Sequence, residues 1–133
     1  MDAQEKYDYW LDIAQYDLET ASAMFDSGRW LYVVFMCEQA VEKLVKGLYV
    51  LYIDDNIPRV HVIRQVIKKY DGKLPAPVNE GRYRFFDKLS AFYLEGRYAD
   101  YKQKLSALVD KQEAENVLEQ TREVFAWLLT LKP

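Results

Sequence analysis

One polar run inside a long apolar stretch constrains the fold of this chain more than any other feature. Residues 37–46 carry five polar side chains that fall, at about 100° per residue, within one arc of about 140° around a helix. We call this set the polar face; its members are Glu38, Gln39, Glu42, Lys43 and Lys46. The opposite side is apolar and is formed by Val33, Val34, Cys37, Ala40, Val41, Leu44 and Leu48. The pattern predicts a long helix with one core face and one charged face.

The composition is that of one globular domain in a reducing compartment. The chain has 133 residues, of which 50% are apolar and 15% are aromatic, which is enough to bury a substantial core. The single cysteine excludes an internal disulfide, and its place on the apolar side of the helix favours a buried side chain over a nucleophile. The start is acidic without an apolar signal segment, and the longest apolar run, residues 48–53, is too short to cross a bilayer. We therefore expect a cytoplasmic protein without membrane association.

Helical periodicity and end signals divide the chain into five helices. These are expected at residues 4–26, 30–53, 61–70, 82–94 and 111–131. Asp2 with Glu5 forms a capping-box pattern, Gly28 is a helix stop, and Asp110 with Glu113 gives a start signal before the last helix. No segment alternates with period two, so no sheet is expected. The predicted fold is all-α: a single domain, residues 1–133, forming an antiparallel up-and-down four-helix bundle with an extra short helix.

Several landmarks occur in the order found in a known family. Along the chain they are Trp10, Ala14, Asp17, Leu18 and Ala21; residues 38–43 with Lys46; Pro58 and His61; Arg97, Tyr98, Asp100 and Tyr101; and Trp127. Together they resemble the HEPN family of small helical proteins over nearly the whole chain. The resemblance implies an up-and-down helical bundle that commonly dimerises and a link to nucleotides or RNA. It also implies a partner of the minimal nucleotidyltransferase type, often encoded beside it as a toxin–antitoxin pair.

The resemblance also bears on catalysis, because many HEPN proteins are metal-independent ribonucleases with an Arg followed four to six residues later by a His. Arg97 stands where that Arg is expected, but residues 98–104 contain no His, and the only histidine, His61, lies upstream. An Arg stabilises phosphate charge but is a poor proton carrier, and Tyr and Lys side chains, whose ordinary pKa is about 10, are weak carriers at neutral pH. The candidate catalytic residues are therefore Arg97, Tyr101 and Lys102, in an incomplete motif.

A basic middle segment lies between acidic flanks. Residues 1–58 carry a net charge of −7, residues 59–104 carry +6, and residues 105–133 carry −2. Cations mixed with aromatic side chains bind phosphates and stack on bases. The predicted nucleotide- or RNA-binding residues are Arg97, Tyr98, Arg82, Arg84, Lys102 and His61. Alternatively, the basic segment pairs with its flanks, Arg97 pairs with Asp17 or Glu42, and His61 caps or packs the start of the third helix. For His61 we prefer this structural role.

The polar face has two interpretations of equal weight. It is either a solvated surface with pairs such as Glu42 and Lys46, or a polar groove between subunits. The flanking aromatic residues Phe35 and Tyr49 favour the groove between subunits and motivate the expectation of a homodimer. A metal site or cofactor is not expected, because the sequence has no His pair, Cys cluster or Gly-rich phosphate loop.

The function predicted from these patterns is a HEPN-like nucleotide- or RNA-associated binding module that acts with a nucleotidyltransferase-like partner. One alternative is a divergent metal-independent ribonuclease in which Tyr101, Lys102 or His61 moves protons. Another is a structural dimer whose aromatic faces bind a second helical protein.

Overall fold

The computed structural model describes residues 1–93, 107 and 109–133, and its regular structure in these ranges is entirely helical. The five α helices are α1 (Ala3–Asp26), α2 (Trp30–Tyr52), α3 (Ile63–Ile67), α4 (Glu80–Ser90) and α5 (Lys111–Leu129), with a 3-10 turn at Asp71–Lys73. The all-α prediction is confirmed. Among the described helices, none is long and apolar enough to cross a membrane.

The first two helices form an antiparallel hairpin whose ends were readable in the sequence. Asp2 and Glu5 form the predicted capping box, with the Glu5 amide donating to Asp2 Oδ1 at 2.8 Å. The chain reverses at Gly28, whose φ of 72° is a left-handed conformation that costs little without a Cβ. Directly after the reversal, Trp30 packs edge-on against Phe25 with ring centroids 5.2 Å apart.

The backbones of α1 and α2 approach closely at one point. A Cβ placed on Gly47 of α2 would lie 2.9 Å from Cβ of Trp10 in α1, which is closer than side-chain atoms tolerate. Glycine at this position therefore permits the packing that brings the two long helices together.

Helix α2 is the centre of the bundle, since it contacts α1, α3, α4 and α5. Its apolar side is buried as predicted, with the side chains of Val33, Val34, Cys37, Ala40, Val41, Leu44 and Leu48 fully inaccessible. Cys37 is buried as predicted, and this burial raises the pKa of its thiol to about 11, which disfavours the reactive thiolate.

The last two long helices complete the up-and-down arrangement. Arg82 near the start of α4 bonds Glu123 in the second half of α5, and Lys88 near the end of α4 pairs with Glu113 at the start of α5. The two helices therefore run antiparallel. Asp110 caps α5 as predicted, accepting a hydrogen bond from the Glu113 amide at 2.9 Å.

The third and fourth helices differ most from the prediction, because α3 ends at Ile67 rather than residue 70, α4 ends at Ser90 rather than residue 94, and both start elsewhere than expected. Helix α3 starts at Ile63 rather than residue 61, because Val62 is extended (φ −94°, ψ 105°) and the Ile63 amide donates to Ser90 Oγ at 3.1 Å. Helix α4 starts two residues early, because the Asn79 side chain caps it by accepting from the Arg82 amide at 2.8 Å.

Candidate functional site

The polar face of α2 is covered rather than solvated. Glu38 is 0% exposed, Glu42 is 4% and Lys46 is 8%, while Gln39 and Lys43 are half-buried. The interpretation of this face as a plain solvated surface is therefore wrong. The polar face is covered because of tertiary packing. Helix α3 packs on α2, and the extended segment before α3 brings His61 onto Glu42.

Glu42 is the central group of this buried region. Lys46 Nζ donates to Glu42 Oε2 at 3.0 Å, the predicted pair one helical turn apart. The imidazole of His61 brings Nδ1 to 3.1 Å from the same oxygen and to 3.3 Å from Oε1. A carboxylate held between an ammonium and an imidazole nitrogen is well satisfied despite its burial.

Glu38, one turn before Glu42, has a different environment. Its Oε1 accepts a hydrogen bond from the Gln39 side-chain amide at 2.7 Å. Its buried Oε2 has no hydrogen-bond donor within the described residues. Burial, with a smaller contribution from the neighbouring Glu42 carboxylate, raises the pKa of Glu38 to about 9. This environment favours the protonated form of Glu38, whereas Glu42 has the cationic and imidazole partners that suit a carboxylate.

His61 connects this buried pair to the protein surface. Its side chain is 47% exposed, and its ring stacks on Tyr93 with centroids 4.0 Å apart and planes 15° from parallel. Tyr93 Oη lies 3.0 Å from His61 Nε2. We name these residues the α2 cluster: Glu38, Glu42, Lys46, His61 and Tyr93.

Of the two structural roles preferred for His61, capping or packing at the start of α3, capping is wrong. The N-cap of α3 is Val62, and no side chain caps that helix end. The imidazole instead turns back towards α2, because Glu42 offers a buried carboxylate that needs donors. The histidine is thus held by an acid from another helix, which is an arrangement used to orient functional imidazoles.

The two aromatic residues that flank the polar face have internal partners. Tyr49 is only 7% exposed and packs edge-on against Tyr70, with centroids 6.3 Å apart. Phe35 is half-buried and lies 6.5 Å from the ring of Tyr93. Tyr49 therefore offers no surface to a second subunit, and its use as a motive for dimerisation was wrong.

The lysine of the polar face that points away from the α2 cluster is bound by α1. Lys43 Nζ donates to Asp17 Oδ2 at 2.5 Å, and Asp17 is 7% exposed. This pair gives the polar face a second anchor, on the hairpin side of α2.

The basic candidates on α4 have separate surroundings. The Arg82 guanidinium donates to Glu123 at 2.7 and 3.1 Å and lies 4.1 Å from the centre of the Trp127 ring. That hydrogen bond lowers the pKa of Glu123. Arg84 is exposed, and it has no ion pair with another residue of the described ranges. Thus the hydrogen bonds of Arg82 lead to α5, whereas those of His61 lead to α2, and no polar contact joins the two in the described part of the chain.

The remaining candidates, Arg97, Tyr98, Tyr101 and Lys102, lie outside the described residues. Their roles stay predictions. In the sequence, Arg97 follows Tyr93 by four positions.

Sequence reasoning missed Tyr93 and the contact between Glu42 and His61. One signal was available: Glu38 and Glu42 are like charges one turn apart, and only Glu42 has a lysine at the following turn. Such a pair is slightly unfavourable when both groups are ionised, which marks this position on the helix but does not identify its partners. In the described residues, no group of three or more His, Cys, Asp or Glu side chains is placed to hold a metal ion.

Comparison with known proteins identifies the class. The HEPN domain model matches residues 7–131, so the chain belongs to the HEPN family. The crystal structure of TT1696 from Thermus thermophilus is similar, with a TM-score of 0.82 and 21% identity over 94% of this chain and 97% of that chain. ST0689, an archaeal HEPN homologue, gives a TM-score of 0.74 and 19% identity over 100% and 99% of the two chains. At these identities the similarity concerns the fold. No curated protein matches the sequence.

Proposed function

We propose that this HEPN protein is a nucleotide- or RNA-associated binding module that acts with a nucleotidyltransferase-like partner as a toxin–antitoxin pair. The observation that carries the binding proposal is the anchored histidine: Glu42 holds the half-exposed imidazole of His61 against Tyr93. An aromatic ring and an imidazole at a surface provide stacking and hydrogen bonding for a base, and Arg97 supplies a cation for phosphate from the segment that follows Tyr93.

In this proposal the ligand is recognised by two kinds of contact. The α2 cluster holds His61 and Tyr93 ready, so that little side-chain freedom is lost on binding. Arg97, Tyr98 and Lys102 then contact the phosphate backbone and an adjacent base. Arg84, which is exposed, adds long-range attraction for the anion.

The test is a gel of end-labelled single-stranded RNA incubated with wild-type protein, Arg97→Ala and His61→Asn. Lys132→Ala is the matched control, because it removes a cation that lies over the Tyr7 ring of α1 rather than among the residues of the α2 cluster. The proposal expects a shifted band for the wild type and the control and a weaker shift for the other two variants. An unchanged shift in both variants would remove these residues from the binding site.

A second candidate function is metal-independent RNA cleavage, which the carboxylate-held imidazole favours. A histidine bound at Nδ1 by Glu42 is oriented to accept a proton at Nε2, the role of a general base towards a 2′-hydroxyl. The hydroxyl oxygen would attack the adjacent phosphorus, Arg97 would stabilise the added charge, and the 5′-oxygen would leave with a proton from a second group. Shortened bands in the same gel, lost in His61→Asn, would establish this activity.

The proposed partners are a second copy of the chain and a nucleotidyltransferase-fold protein. The family supports dimerisation, and half-buried Phe35 is an aromatic residue near the α2 cluster that a second subunit would cover. Light scattering of wild type and Phe35→Glu tests it: the proposal expects a dimer that becomes a monomer in the variant. A wild-type monomer at micromolar concentration would contradict it.

A further inference from the structure

The two carboxyl groups of the α2 cluster form a pair that needs a proton. Glu38 and Glu42 lie one helical turn apart and are both buried, and within the described part of the chain Glu38 Oε2 has no hydrogen-bond donor. Ionised carboxylates only accept hydrogen bonds, so a hydrogen bond between two of them requires one to be protonated. Two carboxyl groups at this spacing are therefore satisfied together only when they share a proton.

The surrounding contacts identify which group carries the proton. Both oxygens of Glu42 lie within 3.3 Å of His61 Nδ1, and one of them also accepts from Lys46. Among the described residues, Glu38 has a single donor, Gln39, and that donor occupies Oε1. Its fully buried Oε2 lacks a donor, so a proton on Oε2 both satisfies this oxygen and provides the O–H that the contact with Glu42 needs.

The hydrogen bonds of His61 are also complementary. Nδ1 faces an acceptor, the Glu42 carboxylate, and must carry a hydrogen. Nε2 lies 3.0 Å from the Tyr93 hydroxyl, which can donate to a lone pair on Nε2 or accept from an N–H there. The Tyr93 contact is therefore compatible with either state of Nε2, and Glu42 is the neighbour that selects the tautomer with hydrogen on Nδ1.

We propose that Glu38 is a positioning residue: as a neutral acid it donates from Oε2 to Glu42, and this bond directs the charged Glu42 at His61 and fixes the Nδ1–H tautomer. The buried relay runs from Glu38 through Glu42 to His61, and it presents Nε2 at the surface beside Tyr93. Its use in ligand recognition rests on the proposed function, whereas the relay itself does not.

The relay is measurable because His61 is the only histidine of the chain. Long-range proton–nitrogen NMR correlations distinguish a protonated from an unprotonated ring nitrogen, so one imidazole reports the tautomer without assignment of other residues. For the wild type above neutral pH we expect a protonated Nδ1 and an unprotonated Nε2. The opposite pattern in the wild type would overturn the relay.

Two variants of Glu38 isolate its role. Glu38→Gln keeps a donor, since its amide N–H replaces the acid O–H, and it should retain the wild-type tautomer. Glu38→Leu keeps the volume but removes the donor, and a substantial fraction of the ring should change to the Nε2–H form. The same tautomer in all three proteins would overturn the assignment of Glu38 as the positioning residue.

Infrared spectroscopy provides a measurement that does not depend on how Glu38→Leu folds. The wild type should show the C=O band of a carboxylic acid at neutral pH, and Glu38→Gln should lack it. Absence of this band in the wild type would contradict a neutral Glu38.

The relay and the proposed function are tested by different outcomes. NMR and infrared spectra of the free protein test the relay without ligand. If the tautomer is as expected but His61→Asn binds RNA like the wild type, the relay stands and the binding site is elsewhere. If the variant loses binding while the wild-type tautomer is Nε2–H, the site stands and the relay fails.

Discussion

The polar face of α2 and the outer surface of α4 use the same residue types in opposite environments. On α2, Glu42 and Lys46 form their ion pair with less than a tenth of either residue exposed. On α4, Arg82 bonds Glu123, whose side chain is 62% exposed. A buried charge without its partner is strongly unfavourable, whereas an exposed pair contributes little to stability.

The comparison shows that the energetic effect of a charged pair depends on whether the rest of the protein buries it. The pairs on α4 fit the expectation that basic residues match acidic flanks, and they behave as surface pairs. The α2 cluster instead places two buried carboxyl groups and a buried ammonium beside a half-exposed imidazole. Groups kept there despite the cost of desolvation are more often functional than groups at a surface.

The largest expected effect is the loss of the central carboxylate. Glu42→Leu leaves the 8% exposed Lys46 without a counter-charge and His61 without its acceptor, so the free energy of unfolding should fall by about 3–5 kcal/mol. Urea unfolding followed by circular dichroism measures the change. The control is Glu42→Leu combined with Lys46→Met, which removes both charges and should recover most of the stability. A single variant within about 1 kcal/mol of the wild type would show that this region behaves like the α4 surface.

A smaller effect is expected where α1 meets the helix that carries the cluster. Gly47→Ala adds a methyl group 2.9 Å from Cβ of Trp10, and relief of this overlap should cost about 1–3 kcal/mol of unfolding free energy. Gly72→Ala is the matched control, because a Cβ there meets nothing within 4 Å. Equal thermal unfolding midpoints for the two variants would show that the hairpin is not closely packed at this point.

The neutral acid should appear in the pH dependence of stability. The pKa of Glu38 is about 9 when folded, compared with an ordinary value of 4.5, so the folded state retains a proton that the unfolded state has released. This group therefore makes stability fall as pH rises between those two values, by up to about 1.4 kcal/mol per pH unit. Glu38→Gln removes the titration.

Urea unfolding at a mildly acidic and a mildly alkaline pH compares Glu38→Gln with the wild type. The stability of the variant relative to the wild type should increase towards the alkaline side. A difference that is the same at both pH values would mean that Glu38 is ionised in the folded protein.

The smallest effect is expected on the exposed side of the comparison. Arg82→Ala removes the pair with Glu123 and the contact with Trp127, and we expect a loss of about 0.5–1 kcal/mol. A double-mutant cycle with Glu123→Ala, repeated at high salt, measures the pair itself. A coupling energy above about 2 kcal/mol would place this surface pair in the same class as the buried one.

Local signals in the sequence predicted most of the fold. The Asp2 capping box, the left-handed Gly28 and the Asp110 cap act through near neighbours, and each occurs where expected. The apolar side of α2 was predicted because helical periodicity alone defines it. The start of α3 was not, because it depends on Ser90, which is distant in the sequence.

The candidate site was predictable only in part. Periodicity identified Glu38 and Glu42 as a shared face, but their burial depends on how α3 and the segment before it return to α2. Glu42, the partner of His61 Nδ1, is 19 residues away in the sequence, and Tyr93, the partner of Nε2, is 32 residues away. No local pattern encodes such contacts, so the partners of His61 could not be predicted, and the functional role of the polar residues stays a prediction.

The most direct test of this account follows the single histidine during a ligand titration. A short single-stranded RNA is added to the protein while the imidazole signals of His61 are recorded by NMR. We expect a saturable shift of these signals that is reduced in Arg97→Ala and retained in Lys132→Ala. Unchanged His61 signals, while other resonances of the protein shift on RNA binding, would contradict the claim that the α2 cluster presents His61 to the ligand.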